Sequence, residues 1–259
     1  MPFLFIETKV IGMNAKIAIV ILAAGLGTRM KSNKAKVLHK VCGKPMVNYV
    51  VETASKIAGS DVVLVVGHQA DKVRQTVSDL GTFGYAYQKE PLGTGHAMLC
   101  ALPHLPDHCR QVVILCGDVP LIKAETLSAL IKGHLNEKRD ISILAVEFEH
   151  PRGYGRILLD KSGRVRAIVE EADASAEQKR IKLINTGIFC VKKEFLLRAV
   201  PRIKPDNAQG EIYLTDIVGI AYTEKRHVGV TVGDDPIEVT GINTIQELKR
   251  VERAIKNRN

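Results

Sequence analysis

The sequence predicts an α/β protein: a mostly parallel sheet flanked by helices, with a mixed lobe added in the second half. Three observations carry this. Apolar runs at 17–22, 62–66 and 112–116 each stop at a glycine-containing turn. They are continuous rather than alternating, as strands covered on both faces require. Helical patterns fall between them at the spacing of repeated β-α-β units until Pro151, after which the rhythm becomes hairpin-like.

Taken in order, the run 17–22 ends in Ala23-Ala24-Gly25, and Pro45 opens a helix to about Ile57, proline being suited to a first turn. A second strand at 62–66 precedes a helix at 71–80, and a third strand spans 85–88. Thr94 is expected to N-cap a helix running to about Leu102. The strand 112–116 stops at Gly117-Asp118-Val119-Pro120; a helix at 124–134 and a strand at 141–146 follow. Residues 156–159 and 165–170 form a hairpin around Lys161-Ser162-Gly163, and 184–191 a further strand. Helices are expected at 193–200, 214–223 and 244–256. The organisation predicted is an N-terminal extension at 1–15 and one domain at 16–259. That domain comprises a sheet part to about 150, a mixed lobe at about 151–245 and the C-terminal helix. No internal repeat, low-complexity tract or Gly/Ser linker interrupts it.

With 259 residues, 46% hydrophobic and 25% charged, the chain can bury a real core, which excludes disorder and a disulfide-stapled miniprotein. The net charge of +9 suits nucleic acid, a membrane surface or a polyphosphate, and the total does not choose among them. Cys42, Cys100, Cys109, Cys116 and Cys190 are odd in number and none has C-x-x-C spacing, so neither a disulfide framework nor a zinc cluster is indicated. Reduced thiols fit a cytoplasmic protein. No apolar stretch approaches the roughly 20 residues of a membrane span. Phe3-Leu4-Phe5-Ile6 is too short for a signal-peptide core, and Met13 offers an alternative start that would leave residues 1–12 without structural duty.

The informative segment is Leu22-Ala23-Ala24-Gly25-Leu26-Gly27-Thr28-Arg29-Met30. Gly25 and Gly27 let the backbone approach a ligand and aim amides at phosphate. A bare G-x-G is weak, and this one is neither a dinucleotide fingerprint, since Met30 takes the third glycine position, nor a Walker A loop. The charges around it raise the signal. No Asp or Glu occurs from Thr8 to Val51, whereas Lys9, Lys16, Arg29, Lys31, Lys34, Lys36, Lys40 and Lys44 are basic. A solvated basic face is the bland explanation. The adjacent glycine turn favours a polyphosphate cradle, and the scarcity of interleaved aromatics disfavours nucleic acid.

Asp118 lies just past a buried strand, where open α/β sheets bind ligands. Facing a polyphosphate it suits Mg²⁺, which takes few protein carboxylates and completes its shell with phosphate and water. The alternative is a turn residue capping the next helix.

These residues carry a resemblance. The first segment, followed by Lys36-Val37-Leu38, resembles the sugar-phosphate nucleotidyltransferases. Gly93-Thr94-Gly95-His96-Ala97, Gly117-Asp118-Val119-Pro120-Leu121, Gly153-Tyr154-Gly155-Arg156 and Ile184-Asn185-Thr186-Gly187-Ile188 narrow it. So do Asn207-Ala208-Gln209-Gly210-Glu211 and Tyr213-Leu214-Thr215-Asp216. Together they resemble the uridyltransferase domains of the bifunctional N-acetylglucosamine-1-phosphate uridyltransferase/glucosamine-1-phosphate acetyltransferase family, over residues 16–256. Ala35 stands where that family usually has proline. The family's second half, a left-handed β-helix, has no counterpart before Asn259, so acetyl transfer is not expected.

The resemblance implies a Rossmann-like nucleotide-diphospho-sugar transferase fold with a sugar-binding lobe. It implies Mg²⁺-dependent transfer of uridylyl from UTP to N-acetylglucosamine 1-phosphate, giving pyrophosphate and UDP-N-acetylglucosamine, a cell-wall precursor. Arg29 and Lys36 would be catalytic, and Asp118 and Asn243 would hold the metal. Leu22, Ala23, Ala24, Gly25, Gly27, Gln88, Gly93, Thr94 and Gly117 would bind the nucleotide. Gly155, Glu170, Asn185, Tyr213 and Thr215 would bind the sugar. Taken alone, Gln88, Glu170 and Asn185 read as polar strand residues, and His39, His68 and His96 as structural or surface histidines. Neither a nucleic-acid nor a membrane partner is expected, and the chain is expected to be a monomer or weak oligomer. The rivals are a uridylyl- or thymidylyltransferase for another sugar 1-phosphate such as glucose 1-phosphate, and a catalytically idle regulatory relative.

Overall fold

A continuous apolar strand leaves no polar face to water, so both sides of the sheet must be covered. The computed structural model, which describes residues 16–256, shows how; the expected extension at 1–15, with Phe3-Leu4-Phe5-Ile6 and Met13, lies outside the described residues. The strands are β1 (Ile17–Leu22), β2 (Lys40–Val41), β3 (Lys44–Pro45), β4 (Val62–Val66), β5 (Gly84–Tyr87), β6 (Gln111–Cys116), β7 (Ile141–Glu147), β8 (Gly155–Leu159), β9 (Val165–Val169), β10 (Leu183–Lys192) and β11 (Val228–Val232). The helices are α1 (Met46–Ala58), α2 (Ala70–Val77), α3 (Thr94–Ala101), α4 (Ala124–Asn136), α5 (Lys193–Ala199), α6 (Asp216–Thr223) and α7 (Ile245–Lys256). Alternate residues of each strand face opposite cores. Ile17, Ile19 and Ile21 pack with Val47, Val50 and Val51 of α1 and Leu127 and Leu130 of α4. Ala18 and Val20 pack with Ala97 and Met98 of α3 and lie in one core with Phe195 of α5 and Ile217 of α6. A third cluster docks Val251 of α7 on Val41, Met46 and Ile242.

The main sheet runs β11-β7-β10-β6-β1-β4-β5, with β8 and β9 attached through β10. β5, β4, β1 and β6 are mutually parallel, as are β7 and β11. β10 is antiparallel to both β6 and β7, so a strand from the second half of the chain fills the middle of the sheet. The strand expected at 141–146 does not adjoin β6, because β10 lies between them. The strand β11, the small β2–β3 hairpin and the 3₁₀ turn Lys36–Leu38 had no clear signal. Chain order leaves β1 toward β4 and β5, then returns to its other side with β6. The order of strands therefore reverses at β1, and a crevice opens beyond the carboxyl ends of β1 and β6.

Candidate active site

Each wall of this crevice follows from a strand end. Beyond β1 the chain turns through the glycine segment. Gly27 has φ 68°, and a Cβ there would lie 2.6 Å from Lys36 Cβ, so a side chain is excluded both by conformation and by contact. Gly27 thereby seats Lys36 against the turn. Beyond β6 stands Asp118, whose backbone oxygen accepts from the Ile242 N–H at 2.9 Å and draws the 241–243 loop alongside. Beyond the register shift in β10, between Asn185 and Phe189, that strand parts from β6. Gly187, at φ 79°, sits in this bulge where a Cβ would come 2.9 Å from Cys116 Sγ. Bulges of this kind re-aim a strand beside a site.

The geometry brings four candidates to one point. Lys36 Nζ lies 2.6 Å from Asp118 Oδ2 and 3.1 Å from Asn243 Oδ1, and Arg29 donates to the same Asn243 oxygen at 2.9 Å. Asp118 is thus no helix cap: α4 starts after Lys123 with no side-chain cap. One carboxylate and one amide oxygen converge on a cationic atom, a hard-oxygen pair of the kind that holds a divalent ion whose remaining ligands are phosphate and water. No group of three or more His, Cys, Asp or Glu side chains forms a metal cluster among the described residues.

Two hollows meet here, sharing Leu22, Thr94, Cys116 and Asp118. One, of about 570 Å³, is lined by Ala24, Gly25, Gly27, Lys36, Gln88 and Gly93 among others. The other, of about 210 Å³, is lined by Arg29, Gly155, Glu170, Asn185, Thr215 and Asn243 among others. Apart from Leu22 and Thr94, which line both, the nucleotide and sugar candidates that line the hollows divide between adjoining spaces. Ala23 is buried behind the first wall, and Gly117 donates its N–H to Leu22 O, bracing the two strand ends. Tyr213 lines neither hollow; its hydroxyl bonds Gln209 and its pKa is pushed up to about 12, mainly by burial. A separate hollow of about 680 Å³ between β5 and α2 contains none of the candidates.

Local chemistry explains several positions. Gln88 is buried and donates to Gly93 O at 3.0 Å, with His96 Nδ1 at 3.1 Å, so it shapes the Gly93 turn rather than ending a strand in solvent. Thr94 corrects its expected role. Gly93 is the N-cap of α3, and the Thr94 hydroxyl accepts instead from the Leu214 N–H at 3.0 Å, tying the nucleotide side to the second lobe. Burial raises the Glu170 pKa, while the Thr215 hydroxyl donates to it at 3.2 Å. Asn185 Oδ1 accepts from the Gly187 N–H at 3.1 Å, holding the bulge. Tyr154, which the sequence offered only inside a motif, lines the smaller hollow edge-on to Phe148, with ring centroids 4.9 Å apart. Glu247 lies outside the motifs that carry the resemblance, and its Oε2 accepts from the N–H groups of Asn243 and Thr244 at 2.7 and 2.8 Å.

Comparison with known proteins bears on the fold and the family. A family of MobA-like NTP transferase domains matches residues 19–184. The chain is 45% identical over 244 residues to a bifunctional protein GlmU from Geotalea daltonii, covering 94% of this chain and 53% of that one. It is 48% identical over 239 residues to the Caldanaerobacter subterraneus protein of the same name, covering 92% and 51%. A third, from Desulfotalea psychrophila, is 40% identical over 242 residues, covering 93% and 71%. The chain thus spans about half the length of the first two. A crystal structure described as a glucose-1-phosphate thymidylyltransferase from Bacillus anthracis, in complex with sucrose, shares the fold. Its TM-score is 0.72 at 18% identity, over 94% of this chain and 96% of that one. With more than half its length matched, carrying both the glycine turn and Asp118, the chain belongs to the family of MobA-like NTP transferase domains.

Proposed function

We propose that this chain transfers uridylyl from UTP to N-acetylglucosamine 1-phosphate, giving UDP-N-acetylglucosamine and pyrophosphate. The observation that carries the reading is the convergence of Arg29, Lys36, Asp118 and Asn243 where the two hollows join. The motifs that resemble the uridyltransferase domains surround both hollows. The nucleophile is a sugar-phosphate oxygen, ionised at neutral pH, so the protein needs no general base. It needs to bring two polyanions into line and neutralise their charge. Lys36 serves the α-phosphate and Arg29 the departing pyrophosphate. Burial pushes the Cys116 thiol up to about 12, which keeps it neutral and removes it as a nucleophile. Asp118 and Asn243 hold Mg²⁺, which when bound neutralises phosphate charge. The uracil lies against Ala24, Gly25, Gln88 and Gly93, the sugar against Gly155, Glu170, Asn185 and Thr215.

A pyrophosphate-release assay over a matrix of UTP, dTTP and ATP against N-acetylglucosamine 1-phosphate and glucose 1-phosphate, with and without Mg²⁺, tests this. UTP with the N-acetylated sugar, and only with the metal, is the expected best pair. Comparable kcat/KM with dTTP or ATP would hand the case to a broader nucleotidyltransferase. The same reading has the chain act as a monomer or weak oligomer, which light scattering at micromolar concentration checks.

A further inference from the structure

Lys36 is held from the glycine turn on one side, and from the other by the turn between β4 and α2. Gln69 makes that second contact with both ends of its amide: Oε1 accepts from the Ala35 N–H at 3.1 Å, and Nε2 donates to Asn33 O at 3.2 Å. His68 Nε2 reaches the same Asn33 oxygen at 2.9 Å. Ala35 is 0% exposed, so its N–H has no water to turn to, and a buried donor left unpaired is costly. The 3₁₀ turn Lys36–Leu38 starts at the next residue, and Ala35, its N-cap, supplies no side-chain cap. Gln69 itself has φ 55°, a conformation a side-chain-bearing residue holds only where its surroundings impose it.

We infer that Gln69 is a positioning residue for Lys36: its amide fixes the backbone at Ala35 and Asn33, so that the ammonium arrives at the junction of the two hollows. Lys36 Nζ sits at the end of a flexible four-carbon stem. Its placement is only as good as that of the backbone it leaves, and the Ala35 peptide is the last anchored group before it. The inference rests on the uridylyl-transfer reading for its kinetic consequence, though not for its effect on the loop.

Two variants test it, Gln69→Ala and the double variant Gln69→Ala with Ala35→Pro. Ala35 has φ −53°, which proline adopts, and proline removes the N–H that Gln69 serves while stiffening the same bond. Hydrogen–deuterium exchange over 31–38 is read beside kcat and the two KM values. For Gln69→Ala we expect faster exchange across 31–38 and a kcat lower by about tenfold, with the sugar-phosphate KM changed by less than about twofold, as misplacement of one catalytic group predicts. The double variant should recover most of the lost kcat. Unchanged exchange, an unchanged kcat, or a double variant no better than the single one would overturn the inference. If Gln69→Ala is too unstable to assay, a folded double variant decides: active supports it, inactive overturns it. A wild-type chain that releases no pyrophosphate would sink the functional reading instead, and the exchange data would still judge the loop.

Discussion

Asp118 and Glu170 are both carboxylates on the wall of the smaller hollow, and their neighbours give them different work. Asp118 meets the Lys36 ammonium at 2.6 Å, whereas the group donating to Glu170 is a hydroxyl, at 3.2 Å, and burial raises its pKa. Asp118→Asn should lower kcat by about a hundredfold or more while moving the melting point little, because charge neutralisation is most of what this chemistry asks of the protein. Pyrophosphate release across a Mg²⁺ titration measures it; near-normal turnover at saturating metal would reduce Asp118 to a partner for Lys36. For Glu170 the folded state holds its proton more tightly than the unfolded chain does. Its contribution to stability is therefore full below the ordinary value of 4.5 and is lost as pH rises through the elevated folded pKa. Glu170→Gln should accordingly raise the melting point at pH 7–8, with the gain vanishing below about pH 4.5. A gain independent of pH would place the effect in packing instead.

At the scale of elements, α7 shows how a surface helix serves the site. Its amphipathic side puts Val251, with Leu248 and Ile255, on Val41, Met46 and Ile242. At its start the Thr244 hydroxyl accepts from the Glu247 N–H while Glu247 Oε2 accepts from Thr244 and Asn243, a capping box that also holds the Asn243 backbone. Glu247→Ala should cost about 1 kcal/mol in urea unfolding, the usual value of such a cap. On the metal role proposed for Asn243 it should also weaken Mg²⁺ affinity in the assay, since Asn243 loses a fixed backbone; a stability loss with unchanged metal dependence would confine Glu247 to capping. The helix itself was legible, because apolar positions recur at 3.6-residue spacing. The cap pairs the Glu247 carboxylate with the backbone N–H groups of Asn243 and Thr244, a contact that the spacing of apolar positions does not show. Thr94 shows the reverse error: a threonine before a helical run reads as an N-cap, and a long-range partner, the Leu214 amide, claimed the hydroxyl instead.

Across the whole molecule, two cores of opposite strand faces carry the stability, and a buried polar centre lies among them. His134 is 1% exposed, with Nδ1 3.0 Å from Ser142 Oγ and Nε2 2.9 Å from Gln111 Oε1. Burial, with Lys192 and Arg139 nearby, pushes its pKa down to about 4 from 6.5. The unfolded chain therefore takes up a proton that the native state refuses. Stability should be fully present above pH 6.5 and fall by about 3 kcal/mol as pH drops through the window to 4. Urea midpoints measured across that window check this. A His134→Gln variant should show a shallower slope, and an equal slope would assign the acid sensitivity elsewhere. Among the described residues no helix is long and apolar enough to cross a membrane.

Local patterns were enough to show the α/β class, most of the strands and helices, the glycine turn, the basic stretch with Arg29 and Lys36, and Asp118 at a strand end, because continuous apolar runs, glycine turns and an acid-free basic stretch are each short-range signals. Asn243, Gln88, Glu170 and Asn185 were indicated only by the family resemblance. Short-range signals do not say which strands are neighbours. The placing of β10 between β6 and β7, antiparallel to both, follows from the competition of apolar faces across the whole sheet, and its register shift sets Gly187 against Cys116 at the end of β6. Likewise Asn243 lies 207 residues from Lys36 in the chain and 3.1 Å from it in space. Gln69 carries no signal in the sequence, and only the fold sets its amide against a buried N–H. Such pairings depend on the folded path of the whole chain: a hydrogen bond needs its partner within about 3 Å, and only packing brings distant segments that close.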